Sequence, residues 1–244
     1  MYVAKNFSCD QYSIPGVLSG NTRYVKDEAI GLIFPCYVGS TPTLVCEFME
    51  QVKLESDYIF AIMTYGNTSL GALHHVDLMA RKNGITLSYL NKVLMVDSSI
   101  KYFDMAQQIR DQHEKEIDKN ISRICEQVNA REISVGKPGF VMGQVSKLTH
   151  HLYKKEIGDV DRKYRVESHC NGCGVCSDVC PVSNIKPGNP PVFRHRCIRC
   201  YACTHNCPKN AIRFSNEKSR ARFRNENVSL KEIIKANRSN STRL

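Results

Sequence analysis

Two stretches of the chain are apolar at nearly every position. Ala29-Ile30-Gly31-Leu32-Ile33-Phe34 ends at Pro35, and Tyr58-Ile59-Phe60-Ala61-Ile62-Met63 ends at Thr64-Tyr65-Gly66-Asn67. Short runs without polar alternation predict parallel strands covered on both faces. Between them Leu44, Val45, Phe48, Met49 and Val52 fall at helical spacing behind Pro42, a residue suited to a first helical turn. Leu70, Leu73, Val76, Leu78 and Met79 predict a second helix, closed by Asn83-Gly84. Leu87 to Val96 predicts a third strand. Ser99 to about Glu132 predicts one long polar helix, with Ile100, Phe103, Ile109, Ile117, Ile121, Ile124 and Val128 along one side.

This β-α-β-α-β-α order, spread over residues 1–160, predicts an α/β domain with a parallel sheet. Ligands of such sheets bind at the loops leaving the carboxyl ends of strands. Those loops are Pro35-Cys36-Tyr37-Val38-Gly39-Ser40-Thr41 and Thr64-Tyr65-Gly66-Asn67-Thr68-Ser69. Each offers an aromatic ring, small residues and backbone donors, which suits a flat hydrogen-bonding heterocycle such as a flavin. Ordinary strand-to-helix turns capped at Thr41 or Ser69 account for the same residues.

The pattern changes after residue 165. Eight of the 12 cysteines fall between Cys170 and Cys207. The charge divides in the same place. Residues 1–168 carry 20 basic and 20 acidic side chains, and residues 169–244 carry 14 and 4, which is the whole net charge of +10. Cys170, Cys173, Cys176 and Cys180 read C-x2-C-x2-C-x3-C before Pro181. Cys197, Cys200, Cys203 and Cys207 repeat that spacing before Pro208, with every cysteine displaced by the same interval. Disulfides suit an exported miniprotein, and no export signal opens the chain. Structural zinc prefers two ligand pairs far apart in sequence, whereas here the first three thiols of each run are crowded into one short loop. The run followed by proline, used twice, is the bacterial two-cluster ferredoxin pattern, in which the fourth cysteine serves the other cluster. It predicts two 4Fe–4S clusters, one on Cys170, Cys173, Cys176 and Cys207, the other on Cys197, Cys200, Cys203 and Cys180. Val175, Val179, Ile185, Val192, Phe193, Ile198, Ala211 and Ile212 are the expected apolar packing around them.

With both halves read, the chain resembles the EFR-type fusion of a flavodoxin-like domain to a bacterial 2×4Fe–4S ferredoxin. The resemblance rests on Ile30 to Tyr37, on Tyr58 to Ala61 with Thr64 to Asn67, on Gly71-Ala72-Leu73, on both cysteine runs and on Arg222 to Val228. It implies FMN in the first domain, held near Pro35, Tyr37, Gly39, Thr64, Tyr65, Gly66 and Asn67. Tyr37 and Tyr65 would flank the isoalloxazine, and electrons would pass between flavin and clusters. Flavodoxin-like domains open with a strand and a phosphate loop at the start of the first helix. Neither precedes Tyr2-Val3-Ala4-Lys5, so the α/β domain is expected to be incomplete: the natural chain is expected to begin upstream of Met1, with a decayed flavodoxin or a sheet completed by another chain as the other accounts. Gly16 to Asn21 has phosphate-loop residues without the flanking strand and helix.

The expected organisation is a flavodoxin-like α/β domain at 1–160, a small α+β two-cluster ferredoxin domain at 165–215, and a basic tail at 216–244 with a short helix from Leu230 to Ala236. Redox proteins, acidic ones given the basic tail, are the expected partners, with nucleic acid disfavoured because Phe223 is the only aromatic after Phe214. No apolar run reaches the roughly 18–20 residues that span a bilayer, so no membrane insertion and a cytoplasmic location are expected. Two other readings stay open: an electron carrier whose α/β portion binds no flavin and only docks a partner, and a zinc-dependent nucleic-acid binder. His74, His75, His113, His150 and His151 are expected as surface or interface histidines, and Cys9, Cys36, Cys46 and Cys125 as buried small apolar residues.

Overall fold

The computed structural model describes residues 1–136 and 140–238. The chain divides into two compact units. One takes Met1–Val96 with His113–Lys154, and the other takes Asp97–Gln112 with Lys155 onward.

In the first unit, Ser13 accepts a hydrogen bond from the Gly16 amide and starts α1 (Ile14–Ser19). The stretch with phosphate-loop residues, Gly16 to Asn21, is therefore largely this short helix. The chain then forms β1 (Tyr24–Lys26), β2 (Ala29–Pro35), α2 (Thr43–Gln51), β3 (Lys53–Glu55), β4 (Tyr58–Tyr65), α3 (Ala72–Lys82) and β5 (Tyr89–Leu94). All pairings are parallel, in the order β2-β4-β5. The β1-β3 and β2-β4 ladders share one register: Tyr24 faces Lys53 and Ala29 faces Tyr58, the same offset along the chain. They are one long ladder with a break, bridged by the Asp27 amide donating to the Glu55 carbonyl.

The sheet is covered on both faces. Ile30, Leu32 and Phe34 of β2 and Ile59, Ala61 and Met63 of β4 pack under α1, α2 and α3. Tyr58, Phe60 and Ile62 face the other way, toward Val3 and toward Ile121, Ile124, Cys125 and Val128 of α5 (Ile117–Asn129). Close approach fixes one glycine of β2: a Cβ on Gly31 would lie 2.2 Å from Phe60 Cζ. Among the described residues no strand pairs with the outer edge of β2.

The expected helix from Ser99 to Glu132 does not form as one piece. Asp104 caps α4 (Met105–Arg110), a 3-10 stretch covers Asp111–Lys115, and left-handed Glu116 (φ 43°) breaks the chain before α5. The cause is packing: Ile100 and Met105 are fully buried in the second unit, and α5 lies on the first unit's sheet. This moves the expected boundary, since residues 97–112 leave the 1–160 domain. A further helix of the first unit, α6 (Phe140–Lys155), was not anticipated. Cys46 and Cys125 are buried as expected, but Cys9 is exposed and Cys36 only half-buried.

The second unit continues through β6 (Tyr164–Val166), α7 (Val175–Asp178), β7 (Ile185–Lys186), β8 (Val192–Phe193), α8 (Ala202–Asn206), β9 (Ile212–Phe214) and α9 (Leu230–Arg238). The expected tail is not free over its first part. The Lys218 amide donates to the Ile100 carbonyl, and Arg222 pairs with Glu217, itself ion-paired to buried Arg213. Arg224 donates to the His205 and Cys207 carbonyls. Residues 239–244, with Arg243, lie outside the described residues.

Candidate metal centres

The sequence repeat is visible in the backbone. α7 begins at Val175 and α8 at Ala202, and β7 begins at Ile185 and β9 at Ile212, so both pairs occupy matching positions of the two copies. Left-handed residues match in the same way: Gly172 with Arg199, Gly174 with Tyr201, and Ser183 with Asn210. The strands are exchanged between halves. β6 pairs antiparallel with β9, and β7 with β8, so the sheet of β6 and β9 takes one strand from each half.

The cysteines follow the same exchange. One cavity of about 310 Å³ is lined by Cys197, Cys200 and Cys203 with Cys180. A second, of about 360 Å³, is lined by Cys170, Cys173 and Cys176 with Cys207. Backbone amides point at the exchanged sulfurs: Asn184 donates to Cys180 Sγ at 3.2 Å and Ala211 to Cys207 Sγ at 3.3 Å, again at matching positions of the two copies. The Arg199 amide donates to Cys197 Sγ at 3.3 Å. Amides on thiolate sulfur stabilise charge there and are among the factors that tune an iron–sulfur potential.

Burial pushes the Cys176 and Cys197 thiols up to about 11 and Cys200 to about 12, with neighbouring sulfurs of the same cavity adding to each. Cys203 is raised well above its usual value for the same reasons. Such thiols hold their protons at neutral pH unless a cation takes their place, so metal loading must release protons.

The donor set fits iron–sulfur ligation. Four thiols line each cavity and no carboxylate or imidazole does, the soft all-sulfur surroundings that such clusters require. Among the described residues no three Cys, His, Asp or Glu side chains close on one point, as a single ion would need. Each set surrounds a volume instead. Ile185, Ile198 and Ile212 are buried and line these cavities, Val179 and Ala211 are buried in the same unit, Val175 and Phe193 are half-buried, and Val192 is 57% exposed.

Several supporting residues gave no signal in the sequence. Fully buried Asp161 accepts from the Asn184 side-chain amide at 2.8 Å and the His195 amide at 2.9 Å, and its carboxylate lies 2.6 Å from His195 Nδ1. It thereby braces the residue whose backbone serves Cys180. His205 lies between the Ser98 carbonyl and the Phe223 amide. Arg199 and Tyr201 did carry a signal: they stand where the first copy has Gly172 and Gly174. Each holds a left-handed conformation that costs a side-chain-bearing residue on the order of 1 kcal/mol.

The residues expected to cradle a flavin lie in the first unit, at the carboxyl ends of β2 and β4. Their loops do meet: the Cys36 amide donates to the Thr64 carbonyl, and a Cβ on Gly39 would lie 2.7 Å from Leu70 Cδ1. Yet the chain's own side chains engage both tyrosines. Tyr37 sits 6.4 Å from the ring of fully buried Tyr153 on α6, and Lys92 Nζ lies 4.9 Å over the Tyr65 ring. Ser40 bonds His150 Nδ1 at 2.9 Å, and the Gly66 carbonyl accepts from Lys115 Nζ. Pro35 and Asn67 are exposed, Thr64 is half-buried and Gly39 is buried. Both tyrosines are half-buried, each with one side chain of the chain beside its ring.

His75 and His150 are stacked at 4.0 Å between α3 and α6, His75 buried and His150 half-buried. No helix among the described residues is long and apolar enough to cross a membrane.

Comparison of the chain with curated proteins, and with solved structures, gave no match in either case. Residues 163–186 and 190–213 each match the 4Fe–4S binding domain family. These are the two halves that exchange strands and cysteines, and residues 163–213 are a ferredoxin-type 4Fe–4S binding domain.

Proposed function

We propose that the chain is an electron-transfer protein that carries two 4Fe–4S clusters. Cys170, Cys173, Cys176 and Cys207 hold one, and Cys197, Cys200, Cys203 and Cys180 hold the other. The observation that carries this reading is the exchange of the fourth cysteine between two thiol-lined cavities. The clusters supply one-electron chemistry. The protein supplies thiol ligands, amides aimed at sulfur and a largely apolar wall, open at the rim beside Cys173.

The first unit gives this reading two forms. In one it docks a partner and binds no cofactor, which the engagement of Tyr37 by Tyr153 and of Tyr65 by Lys92 favours. In the other it binds FMN, which the meeting of the loops after β2 and β4 favours. The partners are redox proteins in a reducing compartment such as the cytoplasm, acidic ones given the basic surface of the second unit.

Purification without oxygen, followed by iron, sulfide and flavin quantitation, tests the reading. About eight iron and eight sulfide per chain are expected. Zinc without acid-labile sulfide would overturn the assignment. Flavin released on acid precipitation would decide for the FMN form.

A further inference from the structure

The two cysteine loops share a spacing, but the chain treats their outer surfaces differently. The loop from Cys170 to Cys176 carries Gly172 and Gly174 at its left-handed positions, and Cys173 is exposed. Its neighbours on the cavity rim are Gly188, Pro208 and Lys209, all exposed, with Asn189 beside Gly172. Beyond Gly174 a Cβ would meet open space.

The loop from Cys197 to Cys203 carries Arg199 and Tyr201 at the matching positions, 3% and 4% exposed. Arg199 Nε donates to Tyr201 Oη at 2.9 Å, and Arg199 Nη1 is ion-paired with Glu156. The guanidinium also lies 5.0 Å over the Tyr102 ring. Gly158 bonds Cys197 in both directions through the backbone. All of these partners belong to the second unit. This loop is packed against two other segments of its own unit, and Cys200, the match of exposed Cys173, is half-buried.

The open loop has exposed lysines beside one half-buried carboxylate, Glu167, whose carbonyl accepts from the Cys170 amide and whose side chain lies 3.7 Å from His169 Nδ1. Lys209 on the cavity rim and Lys186 of β7, two residues before the rim's Gly188, are exposed, with no ion pair among the described residues, and Asp178 of α7 is paired with Arg238 at 2.6 Å. His169 Nε2 lies 3.0 Å from the Lys209 carbonyl. Like charges framing a small exposed apolar and glycine surface favour a partner patch of the opposite sign and speed its approach.

We propose that an acidic redox protein docks over the glycine loop at Cys173, framed by Lys186 and Lys209, and not over the loop roofed by Arg199 and Tyr201. This rests on the electron-transfer reading above and adds to it which face is used.

The test uses the holoprotein and, as docking probe, a free-standing acidic flavodoxin reduced to its hydroquinone. Anaerobic stopped-flow at low ionic strength reads the second-order rate of electron transfer to the iron–sulfur chromophore. The paired substitutions Lys186→Glu and Lys209→Glu are expected to slow it by about fivefold or more, an effect that fades as salt is added. Arg194→Glu with Arg196→Glu, which places the same charge change beside Cys197, is expected to leave the rate within about twofold. The proposal is overturned if the second pair slows transfer as much as the first, or if neither pair does. Iron and sulfide are counted in each variant first. A wild-type chain without clusters would defeat the electron-transfer reading itself, whereas full clusters with the wrong rate pattern would defeat only the choice of face.

Discussion

Ile100 lies far upstream of Cys170, the first cysteine of the two repeats, yet it is fully buried in the second unit. Its carbonyl accepts from the Lys218 amide, the neighbouring Ser98 carbonyl is bonded to His205, and the Met105 amide donates to Ser219. The segment 97–112 is thus part of the wall that holds the cluster loops. Ile100→Ala removes three carbon atoms from a site with no solvent exposure. Substitutions of this kind cost about 2–5 kcal/mol, the transfer term plus the cavity left behind. If about half of a roughly 3 kcal/mol loss falls on the unfolding barrier, the unit opens roughly tenfold faster. The assay is bleaching of the iron–sulfur absorbance in anaerobic denaturant. Ile62→Ala serves as the comparison, being equally buried but in the first unit. Ile100→Ala is expected to bleach about tenfold faster and Ile62→Ala at close to the wild-type rate. Equal bleaching of Ile100→Ala and wild type would refute the assignment of 97–112 to the cluster-bearing unit.

Cys180→Ser and Cys207→Ser should each impair one cluster, and a different one, so that iron content falls toward half in both and the remaining electron paramagnetic resonance signals of the two variants differ. Identical residual signals would contradict the exchanged ligand sets. Gly31→Ala drives a methyl into the Phe60 ring and should destabilise the first unit by about 1–3 kcal/mol, read as lost hydrogen-exchange protection in β2 and β4. His75 is pulled down to about 4, chiefly by burial, with His150, His74 and Lys154 adding. The folded unit therefore resists a proton that the unfolded chain accepts below about 6.5. Stability is complete above that pH and falls as pH drops toward 4, by on the order of 2–3 kcal/mol. Exchange protection of β4 peptides should decline over that window, and His75→Gln should flatten the decline.

The parts of this molecule legible in the sequence are those whose physics is local. Ala29–Pro35 and Tyr58–Tyr65 announce themselves because a strand covered on both faces needs apolar residues throughout. The cysteine loops do so because each C-x2-C-x2-C-x3-C-P run brings three thiols into one short loop. The helix from Leu230 did so through its apolar spacing, and extends to Arg238. What stayed hidden depended on distant partners. Ile109 and Ile117 share a helical period, but Ile100 and Met105 are drawn into one core and Ile121 and Ile124 into another, so the helix breaks between them. β1 and β3 are short, largely polar segments fixed only by the ladder they extend. The engagement of Tyr37 and Ser40 by α6 could not be read from the loops that carry them.

The strand exchange has a consequence for how this small unit could be divided. Cut between Lys186 and Pro190, each half would keep three cysteines of one set and a lone cysteine of the other, and each would hold strands whose hydrogen-bonding partners lie across the cut. Neither peptide could finish a metal site or a sheet alone. Mixed together they should reassemble, and a single half at high concentration could satisfy its valences only by embracing a second copy of itself, a head-to-tail pair in which two identical peptides take the places of the two repeats.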